Sequence, residues 1–200
     1  SGYSAKVKNL SEPPTESYLI PESSIWRVSL LTLLVISLLS GSLIKLTDDI
    51  EDKNLGRKIY AIPAGLAYGL LIGYLMISDT GAALLFGGIV IGNLITGKIN
   101  SAGHYSGLGA ILAVVFLFGI KLSPLVLLIA ALASFDEMGD LIRTPKFLDF
   151  IFEYRLILKL GVLALVILNM LGLNALLFLL AFDAAYMLTG GMTGRAAHEI

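Results

Sequence analysis

Two acidic blocks are the parts of this chain best equipped for chemistry. KLTDDIEDKNLGRKIYAIPAG (residues 45–65) holds Asp48, Asp49, Glu51 and Asp52, and SFDEMGDLIR (residues 134–143) holds Asp136, Glu137 and Asp140. Asp48/Asp52 and Asp136/Asp140 are spaced four apart, which on a helix puts each pair on one face about one turn apart. Unpartnered, such pairs repel, and at a helix C-terminus they also oppose the macrodipole. A divalent cation held by Asp48, Asp49, Asp52, Asp136, Glu137 and Asp140 would turn that cost into binding. Hard oxygen ligands favour Mg²⁺ or Mn²⁺, and Mg²⁺ is commonly shared between one or two carboxylates and substrate phosphates.

Basic residues stand nearby: Arg57, Lys58, Lys98, Arg143 and Arg155. Arginine binds phosphate oxygens in bidentate fashion, so this set is suited to a diphosphate. Metal and guanidinium together would stabilise a departing diphosphate, with Asp48, Asp52, Asp136 and Asp140 as the candidate catalytic acids. His104 and His198 are further candidates as bases or ligands, though a lone histidine near a membrane surface is more often structural. Asp183 lies inside an apolar stretch, where an ionisable group defaults to a paired or functional role. The bland reading of either acidic block alone is a solvated loop; the recurrence of the block argues against it.

The elements that must position these residues are apolar helices. Hydrophobic residues make up 56% of the 200 positions, charged residues only 14%, and the mean hydropathy is +0.86. That composition is far from a soluble domain and implies a polytopic helical membrane protein. A net charge of −1 and the absence of basic runs give no reason to expect nucleic acid, and the absence of cysteine excludes disulfides and thiolate metal sites. Residues 1–24 read as a polar, proline-containing tail. Seven spans are expected, at 25–46, 59–77, 82–99, 107–120, 122–135, 156–171 and 175–188. GIKLSP (residues 119–124) is read as a turn between two short helices rather than a kink within one. The glycines at 65, 69, 73, 87, 88 and 92 read as close helix packing.

The polar landmarks recur in order. KLTDDIEDKN matches ASFDEMGDLI, and ALLFGGIVIGNLITGKINSAGH matches ALLFLLAFDAAYMLTGGMTGRAAH. The expected fold is therefore an all-α membrane bundle of two parallel three-helix repeats (25–104 and 122–200) joined by one extra helix (105–121). This repeat also gives the first apolar block a partner, which favours a span over a signal peptide. Spans one and five point the same way, so both acidic blocks emerge on one face, and the Lys/Arg excess there makes it cytoplasmic. The C-terminus would lie inside and the N-terminal tail outside.

DDIEDKNLGRKIYAIPAG resembles the first aspartate-rich motif of the UbiA superfamily of intramembrane prenyltransferases. Asp48, Asp49 and Asp52 would form the Asp-Asp-x-x-Asp block, followed by Arg57 and Lys58 and by Pro63-Ala64-Gly65. Asp136 and Asp140, with Arg143 behind them, resemble its second motif. The resemblance implies that the acids bind Mg²⁺ and a prenyl diphosphate, which ionises to an allylic cation captured by an acceptor. The leading expectation is thus a divalent-metal-dependent transferase acting on an isoprenoid or lipid diphosphate, with a homo-oligomer an open possibility. The alternatives are a divalent-cation transporter with Asp183 in its path and a non-catalytic membrane subunit.

Overall fold

The computed structural model describes residues 28–53, 57–138, 151–152 and 154–198, with side chains as far as Gly194. The polar tail, Asp140, Arg143 and the side chain of His198 lie outside these residues. The described residues form seven α-helices and one 3₁₀ turn, with no strand among them. They are α1 (Leu30–Asp52), α2 (Ala61–Ser78), α3 (Thr80–Ile95), α4 (Ala102–Phe118), α5 (Leu125–Met138), α6 (Leu156–Ile167) and α7 (Leu173–His198). Three stretches, Leu30–Asp52, Lys58–Ser78 and Leu173–Gly194, are long and apolar enough to cross a membrane; α3, α4 and α6 are apolar but shorter.

Local chemistry sets the helix ends. Ser29 caps α1 by accepting from the Thr32 N–H at 3.2 Å. Pro63 sits in the first turn of α2, where its missing N–H would have no helical partner anyway. Asp79 ends α2 in an extended conformation and caps α3 through the Ala82 N–H at 2.9 Å, so a single residue turns the chain. After α3, Gly97 takes φ +72 and Lys98 N–H reaches the Asn93 carbonyl at 2.9 Å. This is a Schellman turn, which needs the left-handed region that glycine enters without strain. Asn169 does the same after α6, with φ 56 and Met170 N–H bonded to Leu165 O at 2.9 Å.

The turn expected at residues 119–124 is present: α4 and α5 are separate helices, and Gly119 has φ +74. Several expected boundaries shift. α1 runs on to Asp52 rather than 46 and α4 starts at Ala102 rather than 107, so the four acids of the first block and His104 are helical, and α6 ends at Ile167 rather than 171. The third span ends at Ile95 rather than 99, because the glycine turn intervenes, which places Lys98 beyond the helix. The segment TGGMTGRAAH, expected to follow the last span, is instead the continuation of α7. Its Thr193 hydroxyl bonds back to the Thr189 carbonyl at 3.0 Å and also donates to Asp49, which ties the added turns to α1.

Small residues let the helices approach closely. A Cβ on Gly65 would lie 2.0 Å from the Gly103 carbonyl oxygen, and one on Gly69 2.3 Å from that of Gly107, so α2 meets α4 backbone to backbone. α1 packs on α7, where a Cβ on Gly41 would lie 2.0 Å from the Phe182 carbonyl oxygen and Ser37 Oγ donates to the Phe178 carbonyl at 2.7 Å. α3 packs on α5, with Gly88 and Gly92 at the contact. Between the helices Leu75, Leu85, Phe86, Ile129, Val162 and Phe178 are fully buried. The outward side chains are also apolar, including Leu31, Phe116, Leu117, Phe118 and Ile167.

Candidate functional site

One cavity, of about 460 Å³, gathers the polar ends of the bundle. The C-terminal parts of α1, α3, α5 and α7 reach it through Asp48, Asn93, Glu137 and Tyr186. The N-terminal parts of α2 and α4 reach it through Tyr68 and His104, and Arg155 stands just before α6. One or two turns further into the bundle the same helices supply Ile72, Phe86, Ile89, Leu108, Ile111 and Phe182. The cavity therefore has a polar end and an apolar depth.

Within the first acidic block the four acids do different work. Asp48 Oδ1 lies 2.9 Å from His104 Nε2, and its Oδ2 accepts the Tyr186 hydroxyl at 2.7 Å. Asp49 faces away from the cavity and is buried, held by Lys45 at 3.1 Å, Lys53 at 2.9 Å and the Thr193 hydroxyl. Glu51 accepts the Gly103 N–H at 3.1 Å and so helps cap α4, beside Ser101. Asp52 is exposed at the cavity mouth.

The second block divides in the same way. Both oxygens of Asp136 accept backbone N–H groups at the start of α6, from Ile157 at 3.1 Å and Leu158 at 2.7 Å. Glu137 lines the cavity between two cations, with Arg155 Nη2 at 3.0 Å and Lys98 Nζ at 3.2 Å. Partial burial alone would lower the Arg155 guanidinium, but Glu137 beside it, with help from Tyr186, Asp183 and Asp48, holds its pKa above the ordinary value. Arg155 and Lys45 both sit 5.1 Å from the centre of the Tyr186 ring.

Of the basic residues expected to meet a diphosphate, Lys98 and Arg155 line the cavity, whereas Arg57 and Lys58 are exposed and lie outside it. Lys45 lines it too, although sequence reasoning passed it over. Its signal was available: it lies three residues before Asp48, hence on the same helical face. Tyr68 and Tyr186 gave no such signal, because a tyrosine in an apolar helix reads as core until its neighbours are known. Asp183 is buried and paired with Lys159 across α6 and α7, as an acid at that depth requires, and it does not line the cavity.

The expected metal can be tested against these donors. Among the described residues no three acids or histidines are disposed to hold an ion. Asp49 and Glu137 are neutralised by paired cations, Asp136 caps a helix, and Asp48 is held by an imidazole and a phenol. As placed, Asp48, Asp49, Asp136 and Glu137 do not offer the several free oxygens that a resident Mg²⁺ or Mn²⁺ needs. No family model, curated protein or solved structure matches this chain.

Proposed function

We propose that this is a membrane-embedded transferase that takes an isoprenoid or similar lipid bearing a phosphate or diphosphate. The observation that carries this reading is the division of the cavity: Lys45, Lys98 and Arg155 at its polar end, aromatic and aliphatic side chains one or two turns deeper. An amphiphile with an anionic head and a greasy tail matches both halves, and about 460 Å³ lies within the range of small-molecule sites. Charge-assisted bonds from the three cations would hold the head. The apolar depth disfavours a cation path, since an ion there would lack ligands.

The membrane setting extends the same reading. Seven helices would cross or enter the bilayer as two three-helix units, α1–α3 and α5–α7, with α4 between them. Partner exchange supports this: the first helix of each unit packs on the third helix of the other, α1 on α7 and α5 on α3. The Lys/Arg-rich end that holds the cavity would face the cytoplasm.

The test is binding of farnesyl diphosphate to the purified full chain in nanodiscs, with farnesol as the neutral control. Binding that prefers the diphosphate is expected. Arg155→Ala should weaken it at least tenfold. Glu137→Gln should strengthen it roughly threefold to tenfold, because the carboxylate that now engages Lys98 and Arg155 loses its charge. Equal binding of alcohol and diphosphate would remove the anionic-head reading.

A further inference from the structure

Tyr68, His104 and Asp48 come from three different helices, α2, α4 and α1, and form one continuous hydrogen-bonded line along the cavity wall. Tyr68 Oη lies 3.2 Å from His104 Nδ1, and His104 Nε2 lies 2.9 Å from Asp48 Oδ1. The Asp48 carboxylate only accepts, so Nε2 carries the proton, and in the neutral ring Nδ1 is left as an acceptor for the tyrosine hydroxyl. Tyr186 donates to the other oxygen of Asp48, which fixes the carboxylate from its far side. Every proton along the line therefore points towards Asp48.

The fold makes specific room for this arrangement. A Cβ on Gly107 would lie 2.2 Å from Tyr68 Cζ and 2.3 Å from its hydroxyl oxygen, so only a residue without a side chain lets the ring end pass α4 to reach His104. Tyr68 is otherwise buried, yet it lines the cavity. Ordinary core packing would not need a histidine, an acid and a second tyrosine at its end.

We infer that Tyr68, His104 and Asp48 form a hydroxyl-activating triad, in which Tyr68 is the catalytic group at the ligand, His104 its general base and Asp48 the positioning residue. An acid that fixes the imidazole tautomer and stabilises the imidazolium formed is the logic of nucleophile–base–orienter triads, recognised by geometry rather than sequence order. The nature of the reaction rests on the lipid-diphosphate reading above. There the acceptor is a hydroxyl compound. Its oxygen bonds to the allylic carbon as the carbon–oxygen bond to diphosphate breaks, and the electron pair leaves with the diphosphate. The acceptor's proton passes to Tyr68 Oη while the phenolic proton passes to His104 Nδ1, leaving imidazolium beside Asp48. No free phenolate has to accumulate.

The triad can be tested without any lipid. Phenylmethanesulfonyl fluoride, small and apolar, is the probe: the Tyr68 oxygen attacks sulfur, fluoride leaves, and the proton goes to His104. Peptide mass spectrometry of the full chain in nanodiscs should find Tyr68 as the fastest-modified of the eight tyrosines. His104→Gln and Asp48→Asn should each slow that labelling at least tenfold. In the ¹⁵N spectrum of the two-histidine chain, His104 should show a protonated Nε2 and an acceptor Nδ1, and Asp48→Asn should disturb this pattern. No labelling of Tyr68, or an unchanged rate in His104→Gln protein that still shows the wild-type circular dichroism, would overturn the triad. Farnesyl diphosphate binding without labelling leaves the lipid reading and removes the triad. Labelling that depends on His104, without lipid binding, does the reverse.

Discussion

The Asp136 carboxylate lies 2.7 Å from the backbone nitrogen of Leu158, twenty-two residues further along the chain. It also accepts from Ile157, so one side chain on α5 satisfies two of the N–H groups that the first turn of α6 cannot pair itself. The local residue cannot do so: Arg155, at the cap position, is left-handed with φ 49 and makes no side-chain cap bond. Asp136→Ala should therefore lower stability by about 1–2 kcal/mol, read from denaturant unfolding in detergent. Asn offers one acceptor oxygen where Asp offers two, so Asp136→Asn should keep one of the two caps and part of the stability, and also keep diphosphate binding. A loss of binding without loss of stability would return Asp136 to the ligand site.

The α2–α4 contact gives a sharp internal comparison. Gly65→Ala would put a methyl group 2.0 Å from a backbone oxygen that cannot rotate away, so α2 and α4 must separate. A loss of several kcal/mol or failure to fold is expected. Gly109 lies on the same α4 with nothing within 4 Å of its added Cβ. There Gly109→Ala should be neutral or stabilising by up to about 1 kcal/mol through helix propensity. Thermal unfolding of the two variants side by side checks both; equal effects would mean that α2 and α4 do not pack as described.

Much of this could be read in the sequence, and the exceptions share a cause. The apolar blocks located the helices, the glycines their close contacts, and GIKLSP marked the break between α4 and α5. Helix register put Asp48 on a working face. Register also put Asp136 in the equivalent place, and it does line the cavity beside Glu137, but both its oxygens are taken up by backbone N–H groups. A tertiary partner decided that outcome: the open N-terminus of α6 draws Asp136. TGGMTGRAAH looked like a loop from its glycines, yet it is helical, with the Thr193–Asp49 bond joining it to α1. Tyr68 and Tyr186 became visible only once three other helices were placed around them.

Asp49 and Asp48 are neighbours with opposite expected phenotypes. Asp49 is 1% exposed and balances Lys45, Lys53 and Thr193, so it is part of the α1–α7 joint rather than the cavity wall. Removing Asp49 leaves Lys45 and Lys53, which reach solvent, but takes away the acceptor of the buried Thr193 hydroxyl, at a cost of about 1–3 kcal/mol. Asp49→Ala should accordingly destabilise the chain measurably in detergent. Asp48→Asn keeps the shape of a partly buried side chain and its bond to Tyr186, so it should fold. Its effect should appear in the imidazole spectrum of His104 instead. An Asp49→Ala protein as stable as the parent would show that the joint is not built on this acid.

Metal binding separates the arrangement seen here from the one the acidic spacing suggests. A divalent ion needs several oxygens free to turn towards it, and Mg²⁺ in particular demands a near-octahedral shell. Asp48 and Glu137 already have both oxygens engaged, so an ion would compete with His104 and Tyr186 at the first and with Lys98 and Arg155 at the second. The full chain in nanodiscs is therefore expected to leave micromolar Mn²⁺ free, with its six-line electron paramagnetic resonance signal undiminished. With farnesyl diphosphate present the signal should fall only as far as the diphosphate alone lowers it. Tight Mn²⁺ binding by the protein itself, abolished by Asp48→Asn, would mean that the carboxylates rearrange around an ion, and both the triad and the metal-free cavity would have to be given up.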